Sequence, residues 1–272
     1  MTPAHDHRPR QLLDFYLEAG ADALVGEEPV DRFAATDAPP AALAPRASEP
    51  VAARPDFARA GPAAPQPAAP QATDEAVMAA RQAARSAGTL EELRALLEKF
   101  DGCALKGSAT QMVFADGNSK AKVMLVGEAP GRDEDIEGLP FVGRSGKLLD
   151  RMLAAIGLDR TQVYIANIVP WRPPGNRTPT PQETQICLPF VLRQIELVDP
   201  DILVCLGGPS AQTLLGIKDG ITKTRGRWFT FNSGKRDIRA MPTFHPAFLL
   251  RSPLQKRFAW RDFLGVKKAL TE

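Results

Sequence analysis

The chain has 272 residues, 25 of them proline, and a net charge of +2 at pH 7. Near-neutrality excludes nucleic-acid binding through the overall field, so any such contact must come from a local patch. Three cysteines exclude a disulfide framework and point to a reducing compartment, the cytoplasm. No apolar run approaches the roughly 18 residues of a membrane span. The N-terminus has no continuous apolar stretch and carries acidic residues, so no targeting leader is expected.

Twelve of the prolines fall in the first 73 residues, which splits the chain into a head and a body. In residues 10–33, Leu12, Leu13, Phe15, Tyr16 and Leu17 suggest a short amphipathic helix. It is too short to be stable alone. It either docks on the body or on a protein partner, or is a nascent helix on a tail. Residues 34–73 are mostly Ala and Pro and read as a disordered linker. The expected domains are thus a tail over 1–33, a linker over 34–73 and a folded unit over 74–272.

Residues 74–99 look helical, and Thr89-Leu90-Glu91-Glu92 fits a capping box that opens a helix to about Lys99. Four apolar runs follow: 122–127, 163–167, 202–207 and 239–244. Helical patterns over 145–156, 181–198 and 209–215 separate them, and Thr180-Pro181-Gln182-Glu183 is a strong helix start. Apolar strands alternating with helices predict an α/β fold, a three-layer α/β/α sandwich around a mostly parallel four-stranded sheet. Residues 228–231 offer a weaker candidate for one more strand.

Open α/β sheets bind ligands beyond the carboxyl ends of their strands. There this chain places Glu128 in Gly127-Glu128-Ala129-Pro130-Gly131, Asn167 ahead of a loop with Arg172 and Arg177, the turn Gly207-Gly208-Pro209-Ser210, and His245-Pro246-Ala247. Singly, each has an ordinary structural reading: Glu128 as a turn cap, Asn167 as a turn amide, His245 as a loop histidine, Gly207-Gly208 as a tight turn, the arginines as solvated charges. Jointly they are harder to dismiss, since every strand would end so by coincidence. A buried carboxylate can activate water, and an amide offers donor and acceptor together to a base edge. A neutral imidazole can stabilise a developing oxyanion. Phe141 could stack on a flat ring or serve as a core aromatic. Leu249-Leu250-Arg251 could wedge into a duplex from which a base has been drawn.

These residues, together with Glu134-Asp135, the run Pro140-Phe141-Val142-Gly143-Arg144-Ser145-Gly146 and Arg172-Pro173-Pro174-Gly175-Asn176-Arg177, closely resemble family 4 uracil-DNA glycosylases from about Cys103 to Leu264. The resemblance implies a repair enzyme that flips uracil from single- or double-stranded DNA and hydrolyses its glycosidic bond. Glu128 would act on the attacking water, Phe141 would stack on uracil, Asn167 would read its edge, and His245 would stabilise the departing anion. Gly127 and Ala129 would line the pocket. Ser145, Gly146, Gly208, Ser210, Leu249, Leu250, Arg251, Arg172 and Arg177 would meet the DNA. A monomer in the cytoplasm, associated with the nucleoid, is the corresponding expectation.

The cysteines depart from that family. Its members hold a four-iron four-sulfur cluster on four cysteines. Cys103 and Cys187 match two of these positions, Phe100 and Trp171 stand at the other two, and Cys205 lies inside a strand. Two thiolates are too few for a cubane, so the sequence predicts no cluster and no metal. A non-turnover uracil-DNA binder on the same scaffold is the alternative. The branch that traps DNA carries an insertion after the arginine loop, and none separates Arg172 from Pro179. A nucleotide-binding reading of the Gly127–Gly131 turn lacks a Gly-x-x-x-x-Gly-Lys motif.

Overall fold

A computed structural model describes residues 70–271. The chain divides into two units, Met1–Pro62 and Ala63–Glu272, and the described residues belong to the second. The expected tail helix over 10–33 lies outside the described residues. So does the linker over 34–73, except for its last four residues, which open the first helix.

That helix, α1 (Pro70–Ser86), is followed by α2 (Leu90–Lys99). The helical stretch expected over 74–99 is two helices, separated at Ala87–Thr89, and the second opens at Thr89 as the capping box predicts. Thr89 Oγ1 accepts from Glu92 N–H at 3.2 Å, while Glu92 reaches back to Gly88 N–H at 2.6 Å. The cap that starts α2 also stops α1 from running on.

The strands are β1 (Asp116–Gly117), β2 (Val123–Gly127), β3 (Val163–Asn167), β4 (Ile202–Leu206), β5 (Phe229–Asn232) and β6 (Asp237–Thr243). They form one sheet in the order β1-β3-β2-β4-β6-β5. Four strands, β3-β2-β4-β6, are parallel, and β1 and β5 pair antiparallel at the two edges. The expected four-stranded sheet is thus six-stranded, and the weaker candidate at 228–231 is β5. β1 is two residues long and β5 is mostly not buried, so neither carries the apolar run that marks the inner strands.

Along β2, β3 and β4 every residue is buried. Alternate side chains enter opposite faces. Met124, Val126, Tyr164, Ala166 and Leu203 join a core with α1, α2 and α5 (Pro181–Val198). Val123, Leu125, Val163, Ile165 and Val204 join another with Leu149 and Leu153 of α4 (Arg144–Ala155) and Phe263 and Val266 of the last helix, Lys256–Thr271. Two apolar faces, each covered by helices, make the three layers. Parallel register then brings Gly127, Asn167, Leu206 and Thr243 to one edge of the sheet.

Candidate active site

Beyond that edge lies a cavity of about 590 Å³, with Glu128, Ala129, Phe141, Asn167 and His245 among its walls. This is within the size range of small-molecule sites. Each side chain is delivered by a different piece of the fold.

Gly127 and Asn167 face each other across β2 and β3. A β-carbon on Gly127 would lie 2.4 Å from Asn167 Oδ1 and 2.7 Å from the Phe141 ring, so only glycine allows amide and ring this close. Pairing continues beyond the strands, with Ile168 N–H donating to Gly127 O and Val169 N–H to Glu128 O, both at 3.0 Å. The backbone at Glu128 is thereby fixed. Its Oε1 is buried and has no hydrogen-bond partner among the described residues, and the same holds for Asn167 Oδ1. Buried polar atoms are nearly always paired, and two orphans in one cavity wall mark a place for a polar ligand. Burial also pushes the Glu128 carboxyl above its ordinary pKa of 4.5.

Phe141 is buried and has φ 55°. The left-handed region costs a bulky residue about 1–2 kcal/mol. Buried Glu134, in the short helix α3 (Arg132–Glu137), holds the segment after Phe141, accepting from Val142 N–H at 3.1 Å and Gly143 N–H at 3.0 Å, and from Gly131 N–H at 3.1 Å. Its neighbour Asp135 accepts from Thr110 N–H and Oγ1 at 2.8 Å each.

His245 caps helix α8 (Pro246–Arg251); the helices α6 (Gly208–Leu215) and α7 (Ile221–Thr224) precede it. His245 Nδ1 accepts from Ala247 N–H at 3.1 Å. The ring proton therefore sits on Nε2, which is left to donate. Burial, and secondarily the charge of Arg251, lowers the pKa from 6.5 to about 4, so the ring is neutral at pH 7. It lies 5.4 Å from the Phe141 ring, centroid to centroid. Gly207, at φ 98°, passes beneath it; a β-carbon there would stand 3.2 Å from His245 Cβ.

The structure brings Glu128, Phe141, Asn167 and His245 together, with Ser145, Gly208 and Arg251 on the same walls. Several expected DNA contacts are elsewhere engaged. Ser210 is fully buried and donates to Val126 O at 2.7 Å, so it ties α6 to β2 and cannot meet a phosphate. Gly146 is buried, and a β-carbon on it would fall 1.6 Å from Phe141 O; it makes room for the Phe141 backbone. Leu249 is 1% exposed and packs with Phe244 and Ala259, because it lies on the inner face of α8. Leu250 is on the outer face, 36% exposed. Arg172 turns inward to Asn176 Oδ1 at 2.6 Å, and Arg177 is bidentate to Glu183 at 2.7 and 2.8 Å. Both shape the loop, and Arg177 also lines the cavity. Glu134 is the residue whose part sequence reasoning missed. The signal was an acidic pair directly after a glycine turn, where backbone N–H groups lack partners.

With this geometry in view, comparison with known proteins is direct. The family model of the uracil DNA glycosylase superfamily matches residues 114–264. Three curated relatives bear the name type-4 uracil-DNA glycosylase. The one from Thermotoga maritima is 44% identical over 169 residues, 60% of this chain and 86% of its own length. That from Saccharolobus solfataricus is 43% identical over 180 residues, 64% of this chain and 83% of its own. That from Archaeoglobus fulgidus is 41% identical over 165 residues, 59% and 83%. The fold and site define a base-excising α/β enzyme, and the chain belongs to the uracil-DNA glycosylase superfamily.

The residues at the family's cluster positions do not fit a four-thiolate cubane. Cys103 and Cys187 are free and buried, with Sγ atoms 3.8 Å apart. Trp171 is 2% exposed and shares their core, against which Phe100 packs; the Phe100 ring stands 5.1 Å from that of Phe190, edge to face. Two of four ligand positions are thus apolar rings within a closed core. Among the described residues no group of three or more His, Cys, Asp or Glu is placed to hold a metal.

Proposed function

We propose that this uracil-DNA glycosylase binds an extrahelical uracil between Phe141 and the walls of the strand-end cavity and hydrolyses its N-glycosidic bond there. The observation that carries this reading is the pair of unpartnered buried acceptors, Glu128 Oε1 and Asn167 Oδ1, in one cavity with a neutral imidazole. Asn167 Oδ1 accepts the uracil N3–H while its amide N–H donates to O4; cytosine presents the opposite pattern. His245 Nε2–H donates to O2, where charge develops as the bond to the sugar breaks. The C1′–N1 electron pair leaves with uracil. A water polarised by Glu128 adds its oxygen to C1′ and gives up a proton to the carboxylate. The products are uracil and an abasic site. No lysine lines the cavity, so no amine is at hand to form an imine with the sugar, and the activity is monofunctional.

DNA, single- or double-stranded, lies across the mouth, with Leu250 and Arg251 filling the gap left by the base in place of Leu249. The enzyme works as a cytoplasmic monomer, without an iron–sulfur cluster. The glycosylase unit spans residues 74–272, and residues 10–33 are left for a protein partner. No helix among the described residues is long and apolar enough to cross a membrane.

The test is base release from matched oligonucleotides bearing one uracil or one cytosine. Wild-type protein releases uracil only. Asn167→Asp, whose carboxyl can present the reversed pattern, loses that preference. Unchanged selectivity for uracil at wild-type rate in Asn167→Asp would overturn the reading.

A further inference from the structure

We propose that Arg160 is a positioning residue for the stacking ring: it holds Phe141 in the left-handed backbone conformation that places the ring in the cavity wall. The proposal rests on the reading of Phe141 as the ring that stacks on uracil.

Among the described residues three non-glycine residues have positive φ: Phe141, Asn176 and Asp199. Asn and Asp enter that region readily through local hydrogen bonds. A large aromatic does not, so its conformation must be imposed from outside. Arg160 does this from the turn that precedes β3. Its Nη2 donates to Phe141 O, and its Nη1 donates to Pro140 O at 3.1 Å. The guanidinium is itself fixed, with Nε donating to Asp150 of α4 and Nη1 to Asp116 of β1, each at 2.7 Å. Glu134 completes the cradle by taking the N–H groups of Val142 and Gly143. The turn is gripped by a cation on its carbonyl side and an anion on its amide side. Gly146 supplies the clearance, since any side chain there would strike Phe141 O.

A return of Phe141 to ordinary φ would rotate its carbonyl off Arg160 and swing the ring away from the gap beside Gly127. Arginine suits the task because its planar fork serves several acceptors at fixed angles. A lysine is a single point donor. Arg160 is not among the residues of the cavity wall, so it reaches the substrate only through Phe141.

The experiment compares Arg160→Gln, Arg160→Lys and Phe141→Ala with wild type in two binding measurements. One is inhibition by free uracil. The other is affinity for DNA carrying a tetrahydrofuran abasic analogue, which offers no base to stack. Arg160→Gln should weaken uracil inhibition about tenfold or more, as small misplacements in a preorganised site do, and leave abasic-DNA affinity within about twofold. Arg160→Lys should fall between. If Arg160→Gln does not fold, Asp150→Asn, which loosens the guanidinium at a half-exposed carboxylate, should show the same selective loss in smaller measure. Unchanged uracil inhibition in the folded Arg160 or Asp150 variant, with loss in Phe141→Ala, overturns the proposal and leaves the stacking reading standing. Equal loss of both affinities also overturns it, since that marks a general structural role. Unchanged uracil inhibition in Phe141→Ala overturns the stacking reading itself.

Discussion

Glu128 and His245 titrate in an order that the pocket sets. Burial raises the carboxyl above 4.5 and lowers the imidazole to about 4. The imidazole is therefore neutral at pH 7 and donates Nε2–H without being a cation, while the carboxyl is the group of the two that takes a proton more readily. As pH falls, the first event is protonation of Glu128, and the rate must fall with it. The acid limb of kcat/KM is expected to lie above the ordinary carboxylate value and to vanish in Glu128→Gln. His245→Asn should keep that limb in place while lowering the rate throughout. An acid limb removed by the His245 substitution instead would reverse the assignment. His245→Ala should lower the rate by about a hundredfold or more, as removal of one preorganised donor does. Ser210 makes the contrasting case. Its hydroxyl is spent on Val126 O, so Ser210→Ala should cost about 1 kcal/mol of stability in a denaturant titration. DNA affinity should not change; a loss of it would restore Ser210 to the DNA interface.

At the scale of elements, an apolar core between α5 and the segment carrying Trp171 occupies the positions that match the family's cluster ligands. Phe100, Cys103, Trp171 and Cys187 belong to one apolar assembly. Trp171→Ala should therefore destabilise the fold by about 3–5 kcal/mol, the ordinary cost of emptying a large buried aromatic site. Urea unfolding midpoints measure it, and a change below about 1 kcal/mol would show that the ring is not a structural replacement. The inner strands were legible because parallel strands covered on both faces must be continuous apolar runs. The ends of β2, β3 and β6 could be read for the same reason, since chain order fixes which end faces the ligand. β1 was illegible, since Asp116–Gly117 alone carries no pattern, and β5 showed only as the weaker candidate at 228–231: edge strands are set by pairing with a neighbour. Leu249 was misread because helix phase at His245 depends on where α8 starts. Arg160 gave no signal at all, because its partners Phe141 O and Asp116 are distant in sequence and one is a backbone atom.

For the whole molecule, a sheet with one functional edge gathers groups from Glu128 to His245 into a single cavity. Near-neutral charge is consistent with DNA contact confined to its mouth. The central claim is that this cavity turns over uracil in DNA without iron. The direct test is multiple-turnover release of uracil by protein whose iron content is measured on the same preparation, purified anaerobically. The expected result is product in large excess over enzyme, iron well below one atom per chain, and no gain on iron–sulfide reconstitution. Activity rising with bound iron, or a one-to-one complex with DNA that survives denaturation, would contradict it.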